Sequence, residues 1–181
     1  LCDIHHFYPT INHSMLKGLL RTRIKDNHLL ERFDEIIDSV EGDIGMFPGT
    51  KLAQFFSLVY LYFFDHDLKR CFYVKDCPAL VEYYTRRYIE ERIVTAKTER
   101  DHEEISKGVQ FLSDKFKGYL DRLDFCYRLA DDVLILHEDT VFLHFVIEWI
   151  GLYYANELKI SLNPKWKVGH VVEGVDTGGY V

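Results

Sequence analysis

Met15, Leu16, Leu19, Leu20 and Ile24 recur every three or four residues, the spacing of one helix face, and Asn12 stands just before them as the expected cap. Leu29, Leu30, Phe33, Ile36, Ile37 and Val40 repeat the same period. A second helix is therefore predicted, followed by a loop at 41–45 and a turn at 46–50, where Pro48 and Gly49 are adjacent. Residues 51–72 are apolar on nearly every side, which predicts a helix buried in the centre of the fold, with Tyr60, Tyr62, Phe63 and Phe64 in the core.

The period shortens elsewhere. Residues 1–8 form an extended stretch that Pro9 breaks, and the strand-forming runs 125–129 and 133–137 flank Ala130, Asp131 and Asp132, the pattern of a tight hairpin with a polar tip. Asp139 or Thr140 would cap a helix burying Phe142, Leu143, Val146, Trp149, Ile150 and Tyr153. Ile160 and Leu162 alternate, Asn163 and Pro164 turn, and 167–172 with 174–181 predict a last hairpin in which Gly178 and Gly179 allow close backbone approach. Pro78 opens a further helix, and Ile105, Val109, Leu112, Phe116, Leu120 and Leu123 mark another. Together they predict a helix pair inserted at 78–124. The whole pattern is that of one α+β domain, a small antiparallel sheet covered mainly on one side by helices.

Composition narrows the class. With 181 residues, 48% hydrophobic and 15% aromatic, the chain can bury a sizeable core and is neither disordered nor collagen-like. Its net charge of −7 argues against a basic nucleic-acid module, although a cation-binding site must itself concentrate carboxylates. Cys2, Cys71, Cys77 and Cys126 show no CxxC spacing, so reduced thiols in a cytoplasmic protein are expected. The most apolar run, 52–64, is too short to span a bilayer, which takes about 20 residues. Because the chain opens on Leu1, already inside an extended stretch, it is expected to be a fragment.

Two adjacent carboxylates at the tip of an apolar hairpin, Asp131 and Asp132, invite a hard divalent cation such as Mg²⁺ or Mn²⁺; a solvated turn that merely favours Asp is the plainer alternative. Asp3 lies alone among Leu1, Cys2, Ile4 and Phe7. Phosphoryl transfer by two metal ions about 3.5–4 Å apart requires carboxylates converging from separate strands, and Asp3 with Asp131 and Asp132 would supply them. His5 and His6 are adjacent on a strand, so at most one faces such a site.

In order along the chain, these residues resemble the reverse transcriptases of bacterial retroelements. Cys2-Asp-Ile-His-His-Phe-Tyr-Pro-Thr-Ile11 is similar to motif A, Gly45-Met-Phe-Pro-Gly-Thr-Lys-Leu-Ala-Gln54 to motif B, Leu129-Ala-Asp-Asp132 to motif C, 158–167 to motif D, and Val175-Asp-Thr-Gly-Gly-Tyr180 to the primer-grip motif. The resemblance implies a polymerase palm in which Asp3, Asp131 and Asp132 hold Mg²⁺ or Mn²⁺ and the Ile4 carbonyl joins them. Tyr8, beside Phe7, would exclude a ribose 2′-hydroxyl, and Pro48, Gly49 and Gln54 would lie against the incoming nucleotide. Lys165 or Lys167 would match the lysine that protonates the leaving pyrophosphate, and Arg128 would contact either nucleic acid or a neighbouring carboxylate.

Further implications concern subtype and partners. The frame Pro48-Gly49, Thr50-Lys51-Leu52, Ala53-Gln54 is closer to diversity-generating retroelements than to group II introns, which implies error-prone cDNA synthesis. Implied partners are an RNA template, a DNA or RNA primer, deoxyribonucleoside triphosphates and an accessory protein, with no membrane, in a bacterial or phage-encoded cytoplasmic protein. Fingers and thumb would lie outside the chain. Phe47-Pro48, Ala53, Leu129 and Thr177-Gly178 depart from the usual motifs. A reverse-transcriptase-like RNA-binding or phage-defence protein without templated synthesis, and a metal nuclease on the same acidic residues, are the competing expectations.

Overall fold

The structure, a computed structural model, describes residues 1–74 and 125–170, with isolated positions at 82, 83, 86, 87, 90, 98 and 172. The helix pair expected at 78–124 and the strands expected at 174–181 lie outside the described residues, as does Cys77. Helices form where the caps are. Asn12 accepts the Met15 amide at 2.9 Å and starts α2 (His13–Arg23), after a single helical turn α1 (Phe7–Thr10). Asp26 accepts the Leu29 amide to start α3 (Asn27–Asp38), and Thr50 the Ala53 amide to start α4 (Lys51–Lys69). Of the two residues expected to cap α5 (Thr140–Tyr153), it is Asp139 that accepts the Phe142 amide. Both α4 and α5 run on into a π turn, at Arg70–Val74 and Tyr154–Leu158.

Strand-forming residues pair as the hairpin pattern requires. β1 (Phe125–Leu129) and β2 (Asp132–Leu136) are antiparallel, with Leu129 opposite Asp132 and only Ala130 and Asp131 between. The opening stretch lies along the other edge of β2: Cys2 and Val133 exchange both backbone hydrogen bonds, 3.0 and 2.7 Å. Ile4 in turn bridges Leu162, flanked by His5 N–H to Ser161 carbonyl and Asn163 N–H to Asp3 carbonyl, each 2.9 Å. Four extended segments therefore lie side by side, β1, β2, 1–4 and 160–163, in an α+β arrangement. Period-two alternation sends Cys2, Ile4, Val133 and Ile135 inward, all buried. Phe125, Tyr127 and Leu129 of β1 stay exposed on the opposite face, where Leu134 and Leu136 of β2 are half-buried.

The core sits between that inner face, α4 and α5. Phe56, Tyr60, Leu61 and Phe64 of α4 are fully buried, and Phe64 meets Tyr153 and Tyr154 at ring-centroid distances of 5.6 and 4.7 Å. Tyr60 ties three segments together: its hydroxyl accepts the Asn12 amide at 3.3 Å and donates to the Leu158 carbonyl at 2.5 Å.

Several expectations are corrected. α4 is not buried all round: Phe55, Leu58 and Tyr62 are 37%, 54% and 42% exposed, and Tyr62 lies under the Arg23 guanidinium, 4.0 Å from the ring centroid, instead of in the core. Leu29 and Ile36 of α3 are likewise exposed, because α3 buries only the narrower stripe of Leu30 and Ile37. The extended stretch expected to run to residue 8 ends at Ile4: His5 and His6 turn, and Pro9 sits inside the single turn α1, where its missing N–H has no helical partner to lose. α5 buries Phe145 and Ile147 as well as Phe142, Val146, Trp149, Ile150 and Tyr153 of the predicted stripe, while Leu143 is half-buried. Residues 167–170 take no strand.

Candidate active site

Asp3 and Asp132 reach the same place through strand pairing. Cys2 and Val133 form an isolated hydrogen-bonded bridge, and Asp3 and Asp132 are the residues that flank it at one end. Asp3 and Asp132 both line a cavity of about 1010 Å³ together with Asn163, Lys165, Trp166 and Lys167.

Asn163 supplies one partner. Its side-chain amide donates to Asp3 Oδ2 at 3.1 Å while its Oδ1 accepts the Lys165 amide at 3.0 Å, so the turn that Asn163 begins is fastened to Asp3. Lys165 and Lys167 are exposed, and the cavity they line does not separate their roles.

Asp131 occupies the hairpin turn itself. Its carboxyl pKa is raised above the ordinary value, first by burial and further by the nearby charge of Asp3, with Arg128 pulling the other way. The turn is strained: Ala130 takes a φ of +54°, a left-handed conformation that primed hairpin turns demand of their first central residue and usually give to glycine. Arg128 holds it. The guanidinium donates Nε to Asp65 Oδ1 at 2.6 Å and Nη2 to Asp65 Oδ2 at 2.5 Å, while Nη1 donates to the Ala130 carbonyl. Burial opposes the Arg128 charge, yet its hydrogen bonds and attraction to Asp65 outweigh that and hold its pKa above the usual value. The carboxylate contact expected for Arg128 is present, with Asp65.

The remaining expected residues divide. Ile4 and Phe7 bury their side chains in the core; Tyr8 is half-buried on α1, its ring 5.5 Å from that of Phe7. Pro48, Gly49 and Gln54 are exposed around the start of α4, with Gly49 at φ +85°. None of Tyr8, Pro48, Gly49 and Gln54 lines the cavity that Asp3 and Asp132 share. The loop before them is tied to the first segment: Gly45 N–H donates to the Ile11 carbonyl at 2.8 Å, and a His13 ring nitrogen lies 2.8 Å from the Gly45 carbonyl. His5 and His6 are both exposed, His6 at a left-handed φ of +46°.

Among the described residues, no group of three or more His, Cys, Asp or Glu side chains is arranged to hold a metal ion. The acidic residues instead offer a two-carboxylate pair with Asp131 beside it. That donor set suits Mg²⁺ better than a closed cage would, because Mg²⁺ typically keeps several waters and takes one or two carboxylates plus substrate phosphates. Burial pushes the pKa values of the Cys2 and Cys126 thiols up to about 12 and about 11. No helix among the described residues is long and apolar enough to cross a membrane. No protein-family model, curated protein or solved structure matches the chain.

Proposed function

We propose that this chain is the palm of an RNA-directed DNA polymerase. The observation that carries the reading is that Asp3 and Asp132, flanking the Cys2–Val133 bridge, line one cavity, with Asp131 next in the turn. Chance Asp enrichment in a turn explains Asp131 and Asp132 but gives no reason for Asp3, 128 residues earlier, to line the same cavity.

In this reading Asp3 and Asp132 would hold Mg²⁺, or Mn²⁺, with Asp131 adjoining. When bound, the ions supply charge that lowers the pKa of the primer 3′-hydroxyl and offsets the charge gathering on the phosphates. The 3′-oxygen forms a bond to the α-phosphorus as the bond to pyrophosphate breaks. Asn163 keeps Asp3 aimed by its hydrogen bond, and Lys165 or Lys167 stands on the cavity wall to give the departing pyrophosphate a proton. Tyr8, and the turn of Pro48 and Gly49 before Gln54, would contact the nucleotide sugar and base only when template and primer bring it to them. Error-prone cDNA synthesis belongs to the proposal through Pro48, since no glutamine amide stands there to check the base pair.

The experiment is extension of a labelled primer on RNA templates by the full-length protein, one deoxyribonucleotide at a time. Addition of the complementary nucleotide alone is expected, changing as the template base is changed. The rival reading is an RNA-binding protein without synthesis. Tight RNA binding with no extension, or with additions that ignore the template, would establish that rival.

A further inference from the structure

Asp65 and Arg128 are 63 positions apart, yet Arg128 side-chain exposure is only 10% and the pair is bidentate. Arg128 faces inward because it pairs with Val133, a buried residue on the inner side of the sheet. Asp65 is fixed by α4, whose Tyr60, Leu61 and Phe64 are fully buried. A fork-to-fork pair fixes the plane of the guanidinium as well as its position. The third donor, Nη1, then fixes the Ala130 carbonyl, and through it the peptide that leads into Asp131. That peptide follows a non-glycine residue at φ +54°, a conformation that persists only where the surroundings enforce it.

We propose that Asp65 and Arg128 are positioning residues that clamp the Ala130-Asp131 turn to α4 and thereby aim the hairpin carboxylates at Asp3. The proposal rests on the polymerase reading for its consequence in catalysis, but the clamp has a consequence that does not. A pair serving stability alone lowers the fraction of folded protein and leaves the folded fraction with unchanged metal dependence. A pair that aims carboxylates changes the metal dependence of protein that is still folded.

The test compares the full-length wild type with Asp65→Asn, Arg128→Lys and the conservative Asp65→Glu, each checked for a cooperative melt. In primer extension, Asp65→Asn and Arg128→Lys are expected to raise the Mg²⁺ concentration for half-maximal rate about tenfold, the usual cost of losing an outer-shell partner. The nucleotide KM should stay within about twofold, and Asp65→Glu should recover most of the loss. An unchanged Mg²⁺ midpoint in folded Arg128→Lys overturns the proposal. Hydrogen exchange gives a second readout that survives failure of the polymerase reading. In Asp65→Asn, amides at 130–133 should exchange at least about tenfold faster while those of α5 do not change, as local opening of one unit requires. Equal exchange at 130–133 in the two proteins overturns the clamp, whether or not the wild type extends a primer.

Discussion

Asp131 is the residue whose electrostatics make the sharpest claim. Its pKa is raised by burial and by Asp3, so folding favours its neutral form. The stabilising share is present at low pH and is lost as pH rises past the unfolded and then the folded pKa, leaving the ionised carboxylate as a penalty at neutral pH. Asp131→Asn should therefore melt higher than the wild type near pH 7, with the gap closing as pH falls below the ordinary carboxylate range, about 4. Thermal melts across that range check it, and a constant gap would remove Asp3 and burial as the cause. Ala130 makes a second claim. Relief of its left-handed strain, worth about 1–2 kcal/mol, is partly offset by the greater unfolded freedom of glycine. Ala130→Gly should thus stabilise by up to about 1 kcal/mol in urea titrations.

At the scale of elements, Tyr60 connects the first segment, α4 and the turn after α5 through one buried hydroxyl. Tyr60→Phe keeps the ring but strands the Leu158 carbonyl and the Asn12 amide, at a cost of about 1–3 kcal/mol. Equilibrium unfolding measures it. Elements were largely legible in the sequence because their causes are local. Asn12 before an apolar stripe located α2, and two strand-forming runs around Ala130 and Asp131 located β1 and β2 with their turn. What periodicity does not carry is partnership across the chain. Nothing near Asn163 announces its bond to Asp3, 160 residues away, and nothing near Asp65 announces Arg128. The burial of α4 was misjudged for a related reason: a helix apolar all round does not say which face its neighbours cover. Asp3, Asp131, Asp132 and the cavity lysines stand out in the sequence as candidate chemistry; the contacts Asn163 to Asp3 and Arg128 to Asp65 do not.

For the whole molecule, the uneven covering of α4 separates two kinds of hydrophobic residue on one helix. Phe56 is fully buried, and Phe56→Ala should cost about 3–5 kcal/mol through lost burial and a cavity. Leu58 is 54% exposed, and Leu58→Gln should shift stability by no more than about 0.5 kcal/mol. Denaturation midpoints of the two variants rank them, and a large loss in Leu58→Gln would place a packed partner over that face. The central claim spans the molecule as well, since it joins its first extended segment to a hairpin more than a hundred residues later. The direct measurement is single-nucleotide primer extension by the full-length protein at varied Mg²⁺, for the wild type, Asp3→Asn and Asp132→Asn. The expected result is template-directed addition by the wild type and a fall of about a thousandfold in each variant, the several kcal/mol that metal charge stabilisation contributes, with the fold retained. Addition that persists in Asp3→Asn, or a wild type that binds RNA and adds nothing, would contradict the account.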